Sequence, residues 1–148
     1  MAKYKIADLV IRMDTFGRTE RQAASYMVDP DTPHDFTIFS ERAELMEKYP
    51  HLSEDECEYM STCGRFYRVL PLFDGIMLHS SCVVVDDRAY LFTAPSGTGK
   101  STQAELWCRY RGARQINGDR PILSKEGQTW LAWGSPYAGS SKVYVNDS

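Results

Sequence analysis

No stretch of this chain comes near the roughly 20 consecutive apolar residues needed to cross a bilayer. Its first residues also lack the apolar segment that a secretion signal requires. Both absences predict a cytoplasmic protein. Positive charge is not in excess either: 17 Lys and Arg stand against 20 Asp and Glu, a formal net charge of −3. Neither nucleic acid nor an anionic membrane is therefore an expected partner. Cysteine is present but unpatterned. Cys57, Cys63, Cys82 and Cys108 show no C-x-x-C spacing and no adjacent histidine pair, so a zinc site is not expected. Reduced thiols packed as small hydrophobes fit these positions better. The chain has no internal repeat and no low-complexity tract. What is left is an ordinary composition, 43% hydrophobic and 25% charged over 148 residues. That suffices for a core of useful size in one domain with a small appended subdomain.

The pattern along the chain predicts a mixed, β-rich α/β protein. Residues 4–14 are β-rich and partly alternating. Phe36-Thr37-Ile38-Phe39 reads as a second strand, set off by the turn formers Asp29-Pro30-Asp31-Thr32-Pro33. Residues 40–49 are acidic and helix-prone, with Glu41, Glu44 and Glu47 along a solvated face. Ser53 followed by Glu56 makes a capping box, which predicts a helix through Tyr59 and Phe66 that ends before Pro71. Asp74-Gly75 marks a turn. It divides an N-terminal α+β subdomain (1–75), a scaffold or partner-binding surface without chemical motif, from a second domain (76–148). An extended run over 76–85 is turned by Asp86-Asp87-Arg88 into a buried strand, Ala89-Tyr90-Leu91-Phe92-Thr93. A helix over 102–111 stops at Gly112, with Ala104, Trp107, Cys108 and Arg111 on one face and Glu105 paired to Arg109. A hairpin spans 121–133 and turns at Lys125-Glu126-Gly127-Gln128.

Between that strand and that helix lies Ala94-Pro95-Ser96-Gly97-Thr98-Gly99-Lys100-Ser101-Thr102. This is the pattern of a phosphate-binding loop, G-x-x-x-x-G-K-[ST], with Ala94 in place of the first glycine. Gly97 and Gly99 let backbone N–H groups turn toward phosphate oxygens. Lys100 supplies a point charge, Ser101 a hydroxyl of the kind that ligates Mg²⁺, and the helix N-terminus a partial positive charge. The expected ligand is a nucleotide, ATP or GTP, with Mg²⁺.

Such a loop needs a carboxylate to hold Mg²⁺ or to orient a nucleophile. Asp86-Asp87 follows an apolar strand but sits where a hairpin must turn, which is the better reading of it. Asp119, in Ile116-Asn117-Gly118-Asp119-Arg120, follows the helix. A strand returning from that helix can bring it beside the loop; the alternative is an Asn-Gly turn with a solvated aspartate. His79 precedes the strand paired to the loop strand, where a structural or solvated role is as open as a functional one. Nothing is assigned to His34 or His51. Of Arg109, Arg111, Arg114 and Arg120, one is a candidate for phosphate contact, against the reading that all four are solvated.

Four pieces in order resemble the C-terminal kinase domain of HPr serine kinase/phosphorylase. They are Leu78-His79 before a valine-rich hairpin, Ser96-Gly97-Thr98-Gly99-Lys100-Ser101, the Asp119 segment, and Gly134-Ser135-Pro136-Tyr137-Ala138-Gly139-Ser140. The resemblance runs from about Leu78 to Asn146. It implies a phosphate-loop fold shared with ATP-dependent phosphoenolpyruvate carboxykinase. It also implies a Mg²⁺-dependent phosphotransferase acting on a hydroxyl of a protein or a small molecule, and self-association of the hexameric kind. By position, Ser96 to Thr102 would hold the nucleotide, Lys100 would stabilise the phosphates, and Ser101 would be the Mg²⁺ hydroxyl. Asp119 would activate the acceptor or partner the metal, His79 would lie near the transferred phosphate, and residues 134–140 would form a loop near the site. Three features depart from the family. Gly118 replaces the first of two adjacent aspartates, Thr102 follows the loop serine where an acid is common, and Ser148 comes soon after the fourth piece. The last implies that the C-terminal part of the domain is missing. The first and last favour a different expectation, a non-catalytic nucleotide-binding module. A carboxykinase activity fits least, with too little chain for a two-lobed cleft.

Overall fold

The computed structural model describes residues 1–139, 141 and 143–147. Among them the chain is mixed α/β: four α-helices, two short 3-10 turns and three three-stranded sheets. Strands β1 (Ala2–Ile6) and β2 (Leu9–Met13) form a hairpin whose turn residues Ala7 and Asp8 have φ of 50° and 64°. Positive φ at both positions gives the turn twist that suits a two-residue hairpin. The β-rich stretch 4–14 therefore reverses in its middle. Helix α1 (Gly17–Ala23), for which the sequence shows no capping residue, follows. Its cap comes from elsewhere: the Arg18 amide donates to Asp55 Oδ1 at 2.5 Å. Strand β3 (Phe36–Ile38) then joins β2 in parallel, and α2 (Arg42–Lys48) falls in the acidic stretch. Glu41 is half-buried there and pairs with Arg65.

The expected capping box forms. Ser53 Oγ accepts from the Glu56 amide at 3.2 Å and Glu56 Oε2 accepts from the Ser53 amide at 2.8 Å, opening α3 (Glu54–Val69). A 3-10 turn, Leu70–Phe73, closes the helix onto Asp74, whose φ is 53°. Beyond it the run 76–85 is two strands rather than one. Strand β4 (Gly75–Met77) and β5 (Ser81–Val85) belong to different sheets, because the Leu78 amide turns to Pro121 O (3.1 Å) and that of Ser80 to Asp119 O (2.9 Å). Asp86 and Asp87 turn the chain at φ of 50° and 56° into β6 (Arg88–Phe92). This strand was expected to be buried. It is instead an outer strand of its sheet, paired among the described residues with β5 alone, and its residues are half-buried or exposed. Helix α4 (Lys100–Arg111) stops at Gly112, whose φ of 63° fits the left-handed cap that glycine supplies. Strand β7 (Arg114–Asn117) returns to the sheet; β8 (Ile122–Glu126) and β9 (Thr129–Trp133) form the expected hairpin, and β8 pairs with β4 on its other side. The main core joins Tyr4, Ile11, Met13 and Phe66 with Met77, Ile122 and Tyr137, so it draws on both sides of Asp74-Gly75. Among the described residues no helix is long and apolar enough to cross a membrane.

Inside this core sits a carboxyl group. Glu58 on α3 is fully buried, and neither of its oxygens accepts a well-formed hydrogen bond. Desolvation raises its pKa from 4.5 to about 7, with the neighbouring Thr19 and Thr62 hydroxyls and Arg42 opposing the shift and Asp55 adding to it. The folded state thus keeps a proton that the unfolded chain releases. Its stabilising effect is complete below pH 4.5 and is lost as the pH rises through 7, an effect of up to about 3 kcal/mol at about 1.4 kcal/mol per unit. Urea denaturation of Glu58→Gln should show this loss flattened, so that the variant gains on the wild type between pH 5 and pH 8. Parallel profiles for the two proteins would count against a protonated Glu58.

Candidate functional site

Strand direction gathers the site. In the sheet ordered β6-β5-β7, the middle strand runs antiparallel to both neighbours. The start of β5 therefore lies at the same end of the sheet as the ends of β6 and β7, with Ser81 opposite Phe92 and Cys82 opposite Asn117. Three chain segments emerge together there: His79 before β5, the 94–102 loop after β6, and Gly118-Asp119-Arg120 after β7. They enclose a cavity of about 320 Å³ lined by His79, Ser96, Gly97, Gly99, Lys100, Ser101, Thr102, Gly118, Asp119 and Ser141.

The loop has the conformation its glycines permit. Gly97 and Gly99 take φ of 79° and 95°, and a Cβ at either would meet nothing within 4 Å, so conformation rather than room calls for glycine. Ala94 is not among the residues with positive φ, so alanine at that position carries no backbone strain. Gly99 is the N-cap of α4 and makes no side-chain cap bond, leaving the first-turn N–H groups open at the cavity. Lys100 Nζ donates to Ala94 O (2.8 Å) and Pro95 O (3.3 Å), folded across its own loop. Thr98 is not part of the cavity wall. Its hydroxyl donates to Pro95 O at 2.6 Å, and the residue lines a neighbouring cleft with Phe92 and Gln103.

Asp119 is not a solvated turn residue. Its side chain is 21% exposed, with Oδ1 3.1 Å from His79 Nε2 and Oδ2 3.3 Å from Arg120 Nε. Asn117 builds the turn that holds it. Fully buried, Asn117 accepts through Oδ1 from the amides of Asp119 (2.9 Å) and Arg120 (2.7 Å) and donates through Nδ2 to Ser135 O (2.9 Å). Ser135 Oγ in turn donates to Arg120 O at 2.6 Å. In the sequence Asn117 reads as part of an Asn-Gly turn and Ser135 as part of the 134–140 loop, without a role for either, although Asn before Gly-Asp is a signal for a side chain that bonds backbone two residues on. Ser141, also missed, fills the space over Gly118: a Cβ there would overlap its side chain. Of the four arginines, only Arg120 stands at the site. Arg109 lies over Tyr110, Arg111 over Trp107, and Arg114 pairs with Asp147. Among the described residues no ion pair joins Glu105 to Arg109.

Residues 134–139 do reach the site, since Gly139 abuts the Asp119 carboxylate; Ser140 of that piece lies outside the described residues. Asp86 and Asp87 sit at the far end of β5, exposed in their turn. All four cysteines are free; burial pushes the Cys63 thiol up to about 11 and that of Cys82 up to about 12, so both are protonated and unreactive.

Among the described residues no three His, Cys, Asp or Glu side chains group into a metal cage. Ser101 and Asp119 nevertheless face one cavity. One hydroxyl and one carboxylate suit Mg²⁺, which keeps several waters and takes its remaining ligands from phosphates. In comparisons with known proteins, no family model, no curated protein and no solved structure matches the chain. The functional reading therefore rests on the site itself.

The Asn117 turn yields a direct expectation. Asn117→Ala removes the side-chain partners of two amides and a carbonyl in a buried setting, a loss of about 2–3 kcal/mol. Chemical denaturation at neutral pH measures it; a change under about 0.5 kcal/mol would show that the turn stands without this side chain.

Proposed function

We propose that the protein binds the polyphosphate of ATP or GTP at the 96–102 loop and transfers a phosphoryl group to a hydroxyl, as an HPr-kinase-like phosphotransferase. The observation that carries this reading is the convergence of His79, the loop and Asp119 on one cavity from three separate chain segments. A phosphate loop alone argues for binding. A carboxylate paired to histidine across from it supplies what transfer needs.

In this reading the α4 first-turn amides and Lys100 take the negative charge of the outer phosphates, Lys100 leaving its carbonyl partners to do so. Asp119 accepts the proton of the acceptor hydroxyl. The freed oxygen attacks the terminal phosphorus, and the bond to the bridging oxygen breaks, releasing the nucleoside diphosphate. His79, with Nε2 3.1 Å from Oδ1, holds the carboxylate beside the transferred group. Ser101 would hold Mg²⁺, with Asp119 partnering the ion through water, and the ion would supply charge neutralisation at the phosphates when bound. The acceptor is a protein serine or a small molecule bearing a hydroxyl.

One observation favours the second reading, a nucleotide-binding module without turnover. Gly118 stands where the HPr kinases that the sequence resembles place another aspartate, and Ser141 leaves no room for a side chain there. Two variants separate the readings. Lys100→Ala should weaken Mg²⁺-ATP binding at least tenfold by calorimetry, about 1.4 kcal/mol. Asp119→Asn should bind within about threefold of wild type yet lose about 100-fold in phosphoryl transfer or basal ATP hydrolysis. Absence of any measurable transfer or hydrolysis in the wild type would leave the binding module as the answer, hydrolysis unaffected in Asp119→Asn would take the acid's role from Asp119, and undiminished binding in Lys100→Ala would remove both readings.

A further inference from the structure

We propose that Arg18 and Tyr59, both in the half of the chain that carries no chemical motif, are positioning residues for the Asp119 carboxylate and act through the backbone of Gly139. The catalytic consequence rests on the reading of Asp119 given above; the mechanical one does not.

Gly139 has φ of 56°, and a Cβ on it would stand 2.6 Å from Asp119 Cγ. The bare Cα thus lies directly against the carboxylate, and where this residue sits decides where Oδ2 can go. Both backbone polar groups of Gly139 are held from the N-terminal half. Its N–H donates to Tyr59 Oη at 2.9 Å, and its carbonyl accepts from Arg18 Nη2. Arg18 is fixed in turn: its amide is bonded to Asp55 Oδ1 and its guanidinium lies 4.0 Å from the centroid of the Tyr59 ring. Asp55 and Tyr59 are one turn apart on α3, so a single helix face anchors both ends of Arg18. Tyr137 secures the same loop from within, packed edge-on to Tyr59 at 5.6 Å. This clamp reaches Asp119 from outside residues 76–148, and His79 and Arg120 complete the enclosure.

The imidazole of His79 reports the carboxylate position without any nucleotide, because its Nε2 lies 3.1 Å from Oδ1. The experiment uses the full chain with Tyr59→Phe, which keeps the ring and removes the hydroxyl. The Cε1–H resonance of His79 is followed at one pH, with His34 and His51 as internal references. The expected result is a displaced His79 signal, unmoved His34 and His51 signals, Mg²⁺-ATP affinity within about twofold of wild type, and basal ATP hydrolysis reduced about tenfold in kcat. Gly139→Ala, which acts on the carboxylate directly, should displace the same signal if Tyr59→Phe proves too unstable to study. A His79 signal unmoved in a folded variant of either kind overturns the clamp. A displaced signal in a protein that neither binds nor hydrolyses ATP upholds the clamp and removes the proposed function instead.

Discussion

The site depends on β5 running antiparallel to the strands on both sides of it. Had β5 been parallel to its neighbours, its leading end would lie at the opposite end of the sheet, some 17 Å away for a five-residue strand at about 3.4 Å per residue. His79 would then be out of reach of Asp119, and the loop would face the acid alone. The arrangement follows from connection lengths. A two-residue turn at Asp86-Asp87 forces β5 and β6 to be antiparallel, while the crossing helix α4 lets β7 return in the direction of β6. With β5 between them, two ends and one beginning are compelled to meet.

How legible this was in the sequence follows how local each signal is. The glycines, lysine and serine of the loop, the Ser53–Glu56 cap, the Gly112 stop and the Lys125–Gln128 turn all act within a few residues, and each was read at its place. What stayed hidden was made over distance. Helix α1 carries no cap of its own because Asp55, 37 residues ahead, provides it. The strand before the loop reads as buried from Tyr90, Leu91 and Phe92. Burial, however, depends on what covers each face of a strand, and over Tyr90 and Phe92 that is the Trp107 ring, which leaves them half-buried. The run 76–85 reads as continuous because nothing in Leu78-His79-Ser80 announces that its amides bond to Pro121 and Asp119. The contact of Arg18 with Gly139 spans 121 residues; periodicity has no means of expressing it.

The N-terminal half also changes what the apparent boundary at Asp74-Gly75 signifies. A turn is there, with Asp74 at positive φ, but the core passes across it through Met77, Ile122 and Tyr137. Burial of Tyr137 against Phe66 and Tyr59 ties the 134–139 segment to α3. The geometry of the loop beside Asp119 is therefore a property of the whole chain.

This division bears on how the proposed activity would be built. The phosphate loop needs only a strand end, two glycines and a helix N-terminus, all within about a dozen consecutive residues, and its conformation is set by local dihedral preference. The acid needs an orientation good to a fraction of an ångström, which flexible turn residues do not supply by themselves. Here the orientation comes from a buried amide, Asn117, on one side and a backbone held by Arg18 and Tyr59 on the other. Nucleotide grip and acid placement consequently draw on separate sets of contacts, one local and one long-range. Perturbing α1 or α3 then acts on the second and spares the first. In the proposed enzyme that separates turnover from binding. A pure binder has no need of a carboxylate so closely held, and the enclosure of Asp119 by His79, Arg120 and Gly139 supports the proposed enzyme.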